Sequence, residues 1–276
     1  MPRICPSWLR WLALSVLALA AVVPFWWIAV VSVRADGVFS SSIGEMFFPS
    51  RLTIKYYCKL WEVREQLPLL RFFGNSLLLT AGGVLLEVAL ASMAAFPLAR
   101  RSFWGKSAVA WVLAAALMLP TQANQIVNFT TVRFLGLYDT WAAVVLPGAV
   151  SVFGILLMRQ AFLVVPAELE DAARLDGCGE WGIFWHIMLP LTRASQATLA
   201  LFAAVANWNS FLWPLVVLKS NELYPLSVGL AYLSETFDSD FRLVAAGTVM
   251  GMLPLILVFF AIQKQFIKGL TAGALK

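Results

Sequence analysis

Six long stretches of this sequence carry no Asp, Glu, Lys or Arg, apart from Glu87 in the second stretch. They are residues 11–33, 72–99, 107–132, 140–158, 194–218 and 243–263. Each has about the 20 residues that an α-helix needs to cross a bilayer. Because the hydrocarbon core offers no hydrogen-bond partners, a spanning segment must satisfy its own backbone, as a helix does. The sequence therefore predicts an all-α, polytopic membrane protein with six transmembrane helices.

The composition points to the same class. Hydrophobic residues make up 61% of the 276 residues, charged residues make up 13%, and the mean hydropathy is +0.82. Ordinary globular domains carry about 25% charged residues. No internal repeat, low-complexity tract or soluble-domain boundary interrupts the chain. Residues 1–276 are therefore predicted to form a single transmembrane domain.

The distribution of Lys and Arg predicts the orientation, because cytoplasmic loops are enriched in these residues. The short loop between the second and third stretches carries Arg100, Arg101 and Lys106 and no acid. We therefore expect this loop to be cytoplasmic, and both termini with it, in a multi-pass protein of the cell (inner or plasma) membrane. This topology explains the net charge of +5 without invoking nucleic acid as a partner.

An outer loop of residues 34–71 separates the first two stretches and is rich in aromatic residues. A loop of this length needs structure of its own. We expect a short amphipathic helix over residues 52–65, lying on the membrane or on a partner.

A second charged region, residues 160–193, follows the fourth stretch and is predicted to be cytoplasmic. Its central part, residues 166–190, reads PAELEDAARLDGCGEWGIFWHIMLP and is called the charged segment below. Pro166 and three following acids favour a helix start, and Gly177 favours a helix end and a chain reversal. A second helix is expected from Glu180 to about Met188, stopping at Pro190. The alternative is an amphipathic helix on the inner bilayer surface.

Within this segment, Asp171-Ala172-Ala173, Gly177, Ile187 and Leu189-Pro190 have the spacing of the EAA loop. The chain thus resembles the inner-membrane permeases of sugar-importing ABC transporters, in particular the six-helix subunit of maltose-type systems. Asp171 stands where the family has Glu. Further matching motifs are Asn75-Ser76, Ala99-Arg100, Phe103-x-Gly105-Lys106, Leu119-Pro120, Leu135-Gly136-Leu137, Thr140, Trp208-Asn209-x-Phe211-Leu212-Trp213-Pro214-Leu215 and the tail at residues 268–276.

The resemblance implies ATP-driven alternating access, with the charged segment as the two-helix loop that couples the permease to an ATPase. The coupling residues it implies are Glu168, Asp171, Ala172, Ala173, Arg174, Asp176, Gly177, Ile187, Leu189 and Pro190. The implied partners are a second permease subunit, two ATPase subunits, an extracytoplasmic solute-binding protein and membrane lipid. The chain has no GxxxxGK[ST] phosphate loop, so we expect no enzyme activity and no cofactor in it, with ATP and Mg bound by the partner ATPase. No ligand spacing indicates a metal site.

Polar residues inside the stretches are candidates for the substrate path. Glu87 lies midway through the second stretch, where it either lines the path or packs against a neighbouring helix. The other candidates are Gln122, Gln125, Asn207, Trp208 and Asn209. Amides beside Trp208 and Trp213 can bind sugar hydroxyls while the indole meets the apolar sugar face. Equally, such amides hold helices together and Trp belongs to interfacial belts.

The sequence leaves two candidates for the transported solute, a sugar and a polyol phosphate such as glycerol-3-phosphate. A phosphate favours cations along the path, and the stretches contain none, which favours a neutral sugar. An ion-coupled secondary transporter should show repeated halves and several intramembrane ionisable groups, and only Glu87 fits that description. A scaffold without transport leaves the spacing of the charged segment unexplained.

Overall fold

The computed structural model describes residues 7–35, 43–63, 67–237 and 240–272. Within these residues the regular elements are helices, with one isolated antiparallel bridge between Arg34 and Leu52. The helices are α1 Ser7–Ser32, α2 Ile43–Phe47, α3 Lys55–Glu62, α4 Leu69–Arg100, α5 Lys106–Ala116, α6 Gln125–Phe134, α7 Trp141–Val145, α8 Val152–Val164, α9 Glu168–Leu175, α10 Glu180–Ile183, α11 Leu189–Leu191, α12 Arg193–Trp208, α13 Leu212–Val217, α14 Leu226–Thr236 and α15 Phe241–Ala272. The predicted all-α class is confirmed.

Three helices in the described part of the chain are long and apolar enough to cross a membrane unbroken: Trp8–Ser32, Leu69–Arg100 and Phe241–Ala261. Each contains one proline, namely Pro24, Pro97 and Pro254. Two helix pairs are long and apolar enough only when taken together, and each is bent, as in a broken span or a re-entrant loop: Trp141–Gly148 meets Val152–Val164 at 48°, and Glu180–Leu191 meets Arg193–Trp208 at 77°. The count of six spans stays a prediction.

The third apolar stretch is not one continuous helix. Helix α5 ends at Ala116, a 3-10 turn covers Thr121–Asn124, and α6 begins at Gln125. Pro120 lies in the gap and disfavours helical backbone in the residue before it. The amides that follow can bond to backbone groups freed by the break. The polar end of this stretch thus forms a separate element.

The fifth stretch is also interrupted, since α12 ends at Trp208 and α13 begins at Leu212. The helix expected over residues 52–65 is shorter than predicted and covers Lys55–Glu62, while residues 64–66 lie outside the described part. The described part also excludes both termini: residues 1–6, which include Arg3, and residues 273–276, the last four residues of the predicted tail.

The chain divides into two compact units, Met1–Leu70 with Gly229–Pro254 and Arg71–Val228 with Leu255–Lys276. In the first unit α3 packs on its own chain, because Tyr56 and Leu60 are buried. Arg242 lies over the Tyr56 ring, 4.7 Å from its centroid, and Lys59 Nζ lies 2.8 Å from Asp240 Oδ2. This division does not decide whether residues 1–276 form a single domain, so the single domain stays a prediction.

The core of the second unit joins α4, α8, α12 and the charged segment. It consists of Ala91, Ala95, Phe96, Leu98, Ala99, Ile155, Met158, Phe162, Val165, Ala173, Ile183, Phe184, Met188 and Leu199. Gly154 permits a close approach in this core, because a Cβ there would lie 3.0 Å from Leu199 Cδ1 and 3.2 Å from Ala91 Cβ. Small residues at such contacts are typical of membrane helices.

Candidate functional site: the charged segment and a polar cavity

The first helix of the charged segment, α9, begins with three acids in its first turn and ends at Leu175. Gly177 follows with φ 82°, a left-handed conformation that glycine adopts without steric cost. The Gly177 amide donates to the Arg174 carbonyl at 3.0 Å and the Cys178 amide donates to the Ala173 carbonyl at 2.9 Å. This pair of bonds is the Schellman arrangement that ends a helix. The predicted helix end and reversal are confirmed.

The second helix of the segment does not stop at Pro190, so that prediction is wrong. It runs as α10, a π-helical turn over Phe184–Met188, and α11 through Leu191. Pro190 lies in the first turn of α11, where its missing N–H is not required. The Thr192 hydroxyl donates to the Met188 carbonyl at 2.8 Å, and the Gln196 amide donates to the Leu189 carbonyl at 2.6 Å. These side chains satisfy the carbonyls at the bend into α12.

The residues assigned to coupling differ in exposure. Exposed are Glu168, Asp171, Ala172, Arg174, Asp176 and Gly177; half-buried are Ile187, Leu189 and Pro190; buried is Ala173. Ala173 belongs to the apolar core of the second unit, so its methyl group packs within the chain. Ala172 lies beside it on the exposed face of α9. The segment therefore has an inner face that contacts the chain and an outer face that is open.

Glu170 was not among the predicted coupling residues, and its side chain is only 5% exposed. Its carboxylate lies 2.7 Å from Arg100 Nε and 3.1 Å from an Arg174 guanidinium nitrogen. Arg101, also near it, pairs with Glu180. Burial and neighbouring Arg174 lower the pKa of the Arg101 guanidinium, which nonetheless stays charged at neutral pH. Helical spacing was the available signal, since Glu170 lies three residues before Ala173 on the inner face.

A polar cavity of about 610 Å³ lies in the second unit, among α4, α8, α12, α13 and the broken third stretch. Its polar lining consists of Glu87, Asn124, Gln125, Asn128, Ser151, Asn207, Ser210 and Trp213, with Phe153 and aliphatic side chains between them. None of the described lining residues is Lys, Arg or His. Amides, hydroxyls and an indole are groups that bind sugars.

The cavity unites three of the six predicted path residues, Glu87, Gln125 and Asn207. Trp208 is instead buried, with its ring 5.7 Å from that of Phe73, and Asn209 donates to the Val205 carbonyl. Neither is among the lining residues. Only the backbone of Gln122 is described, in the 3-10 turn. Which of these residues contact a substrate remains a prediction.

Five polar lining residues were not among the predicted path residues: Asn124, Asn128, Ser151, Ser210 and Trp213. The polar run after Pro120 was a visible signal for the two asparagines. Trp213 rather than Trp208 supplies the indole, and its Nε1 donates to the Ala143 carbonyl at 3.1 Å. The two serines carry no sequence signal, because a hydroxyl in an apolar stretch usually bonds to its own helix.

Glu87 is buried, 8% exposed, and its carboxyl group hydrogen-bonds Ser151. The Ser151 hydroxyl caps α8 by accepting from the Gly154 amide at 3.1 Å, which leaves its own proton free to donate to Glu87. The first turn of a helix also favours a nearby negative charge. These two effects stabilise an acid at membrane depth.

Asn207 lies directly against a glycine of α4. A Cβ at Gly83 would lie 2.5 Å from Asn207 Oδ1, so only glycine leaves room for this amide. The Asn207 Nδ2 donates to the Ala203 carbonyl at 2.8 Å. The position of one lining amide is thus determined by the absence of a side chain on the facing helix.

Asp139 joins the loop before α7 to the loop after α13. Its Oδ1 accepts from the Lys219 and Ser220 amides at 2.8 and 2.9 Å, and its Oδ2 accepts from the Ser220 hydroxyl at 2.6 Å. These hydrogen bonds hold the pKa of the Asp139 carboxyl below its ordinary value, and the bonds from Ser220 contribute most to this lowering. We call these contacts the Asp139 clasp. It anchors the end of α13, the helix that carries Trp213.

Comparison with known proteins supplies the family context of both regions. The family model described as "Binding-protein-dependent transport system inner membrane component" matches residues 87–271. The chain is 35% identical to the arabinooligosaccharides transport system permease protein AraQ of Halalkalibacterium halodurans, over 98% of this chain and 96% of that protein. It is 30% identical to the lactose transport system permease protein LacG of Rhizobium radiobacter, over 97% and 96% of the two chains.

Among solved structures, the chain is similar to one in the crystal structure of a bacterial ABC transporter involved in the import of the acidic polysaccharide alginate. The TM-score is 0.82 at 25% identity, with 96% of this chain and 100% of that chain covered. The similarity therefore extends over both the charged segment and the polar cavity.

Proposed function

This chain belongs to the family of binding-protein-dependent transport system inner membrane components, and on that premise we propose how its two regions divide the work of import. It is a permease subunit of a sugar ABC importer, a transport subunit rather than an enzyme. The polar cavity forms its part of the translocation path, and the charged segment receives the movement of an ATPase. ATP and Mg bind to that partner. The permease spans the cell membrane with both termini in the cytoplasm.

The observation that carries the proposal for the path is the convergence of polar groups at one cavity. Four amides, two serines, one carboxylate and one indole meet there from four separate parts of the chain. Polar groups at membrane depth are costly unless they face protein or water, and they commonly mark a substrate path. A second permease subunit would contribute the opposite wall of the path.

We propose a neutral oligosaccharide as the cargo. The described lining offers one carboxylate and no cation, so it opposes a phosphate or a uronate rather than balancing its charge. The named relatives for arabinooligosaccharides and lactose transport neutral sugars, which agrees with this lining. The alginate transporter carries an acidic polysaccharide, so similarity of fold alone does not select the cargo. Glycerol-3-phosphate stays the second candidate of the sequence analysis, and the lining disfavours it.

The exposed face of α9 supports the proposal for coupling. Asp171, Ala172 and Gly177 are exposed there, and a small alanine between charged neighbours permits close approach of another protein. Two ATPase subunits would bind the two permeases, one at this face. An extracytoplasmic solute-binding protein would deliver the sugar, which agrees with the description of the family as part of a binding-protein-dependent transport system.

The cargo proposal is tested with the complete transporter in proteoliposomes. The solute-binding protein is loaded with lactose, an arabinotriose, a trigalacturonate or glycerol-3-phosphate, and ATP hydrolysis is measured. We expect stimulation by at least one neutral sugar and none by the two anions. Stimulation by the phosphate or the uronate alone would sink the neutral-sugar proposal.

The coupling proposal is tested by copurification of the ATPase subunit. Asp171→Lys reverses a charge on the exposed face, and we expect it to release the ATPase while the permease pair stays intact. Glu222→Lys, on a different exposed loop, is the matched control. Equal ATPase yield in both variants would contradict docking at α9.

A further inference from the structure

Two neighbouring acids of α9 have opposite surroundings. The side chain of Glu170 is 5% exposed, whereas that of Asp171 is 70% exposed. Asp171 is open to a partner and forms an ion pair with Arg174 on the same helix at 2.8 Å. Glu170 instead faces the end of α4. One helix turn therefore carries an outward acid and an inward acid, which suits two different tasks.

The inward acid joins α9 to α4 and α8 through arginines. The Arg100 guanidinium, at the last residue of α4, pairs with Glu170 and also donates to the Val165 carbonyl just after α8. Arg159 of α8 donates to the Leu98 carbonyl at 3.2 Å. An ion pair thus joins α9 to α4, and charged hydrogen bonds, which are stronger than neutral ones, join α4 to α8.

An aromatic cluster lies beneath these ion pairs. Phe96 of α4, Phe162 of α8 and Phe184 of the π-helical turn contact one another, with ring centroids 5.3 to 6.4 Å apart. Each ring is at most 9% exposed. Ala173 of α9 belongs to the same buried core, and buried cores transmit displacement because they cannot deform continuously. A movement of α9 therefore moves the end of α4 with it.

Helix α4 runs unbroken from this junction to the polar cavity. It carries Arg100 at its end and Glu87 in the cavity wall. The separation of these residues along the helix is about 20 Å at 1.5 Å per residue. A buried ion pair adds little net stability, because desolvation offsets attraction, but an unpaired buried charge is costly. The pair thus favours one relative placement of α9 and α4 over others.

We propose that α4 is the lever of the permease and that Glu170 and Arg100 are the positioning pair that attaches it to the charged segment. Asp171 binds the ATPase, Glu170 passes the movement inward, and α4 carries it to the cavity at Glu87. This inference rests on the proposed coupling of the charged segment to an ATPase.

The test uses the complete transporter with a cysteine in the cavity as reporter. Cys5, Cys58 and Cys178 are replaced by Ser, and Ser210→Cys introduces the reporter. The labelling rate with fluorescein maleimide is measured with and without Mg-ATP and vanadate. We compare the reporter background with Glu170→Gln, Arg100→Gln, their double variant, and Asp171→Asn as the matched control on the outward face.

We expect Glu170→Gln and Arg100→Gln to keep the ATPase bound while reducing the ATP-dependent change in labelling by about fivefold or more. The double variant should be no worse than the worse single variant, because the two residues act as one pair. Asp171→Asn should lower ATPase copurification instead. That split between binding and transmission is not expected of residues that only stabilise the fold.

An undiminished labelling change in Glu170→Gln, or additive losses in the double variant, would overturn the lever. Loss of the ATPase from Glu170→Gln to the same extent as from Asp171→Asn would also overturn it, since Glu170 would then be a docking residue. If the reporter background itself binds no ATPase, both the coupling proposal and the lever fail. Retained binding with an intact response in every variant overturns the lever alone.

Discussion

The charged segment and the polar cavity are built in opposite ways. The charged segment is contiguous in sequence, and its inner face is sealed by an aromatic core and by ion pairs. The cavity draws its lining from four separated parts of the chain and leaves amides and a carboxylate facing open space. Dense packing suits the transmission of movement, whereas an open polar lining suits a cargo that must bind and leave. The two regions should therefore respond differently to equivalent substitutions.

The largest expected difference is between two phenylalanines. Phe184 is 2% exposed in the core, while Phe153 lines the cavity at 44% exposure. We expect Phe184→Ala to lower the free energy of unfolding by about 3–5 kcal/mol, since it leaves a cavity in packed surroundings. Phe153→Ala should cost about 1 kcal/mol or less. Denaturant unfolding in mixed micelles measures both, and equal losses would remove the contrast between the regions.

Adjacent glycines of α4 probe the cavity wall. Gly83→Ala places a Cβ 2.5 Å from Asn207 Oδ1, whereas a Cβ at Gly82 meets nothing within 4 Å. Because the atoms that this Cβ meets are the end of the Asn207 side chain, we expect Gly83→Ala to displace the amide at little cost in stability and to reduce sugar uptake. Gly82→Ala is the control and should transport normally. Full uptake by the Gly83 variant would show that the position of Asn207 is unimportant.

A second glycine pair probes the turn of the charged segment. Gly177 has φ 82°, while Gly179 has φ −73°, and neither has an atom within 4 Å of an added Cβ. Only backbone strain therefore separates the two substitutions. We expect Gly177→Ala to cost about 1 kcal/mol of stability and Gly179→Ala a few tenths. The comparison is read from melting temperatures, and identical shifts would mean that the turn relaxes without strain.

The smallest expected effect is a pH dependence at the Asp139 clasp. Bonding to Ser220 lowers the pKa of Asp139 below its ordinary value of 3.8. The carboxylate therefore stabilises the fold fully above that ordinary value, and the contribution is lost as the pH falls through the lower folded-state pKa. Asp139→Asn should abolish this component. Unfolding measured between neutral and strongly acidic pH should differ in slope between the parent and the variant; parallel curves would dismiss the clasp.

Local signals in the sequence predicted the charged segment well. The glycine after α9 placed the end of that helix correctly, whereas the helix begins at Glu168, two residues after the Pro166 that was expected in its first turn. Pro190 misled the prediction of the second helix, because the Thr192 and Gln196 side chains satisfy the Met188 and Leu189 carbonyls just before it. The sequence alone did not show that Glu170 faces inward while Asp171 is exposed. Their difference arises from the arginine that α4 brings to one of them.

For the cavity, the sequence supplied candidates but not their convergence. Gln125 and Asn207 were predicted to line the path, and both line the cavity. Trp208 and Asn209, which follow Asn207 in the same motif, do not line it. Which tryptophan lines the cavity depends on the break between α12 and α13, which places Trp213 rather than Trp208 in the lining. A one-residue change in helix phase rotates a side chain by about 100°, and a break of this kind has no reliable sequence signature.

The sequence by itself determined the membrane class, the long apolar helices and the two-helix form of the charged segment. Hydropathy and turn chemistry are properties of consecutive residues, so they can be read without the rest of the chain. Tertiary structure alone decided that Glu170 faces inward to Arg100 and that Glu87, Gln125 and Asn207 share one cavity. These arrangements join residues far apart in sequence, and packing between helices sets which faces meet.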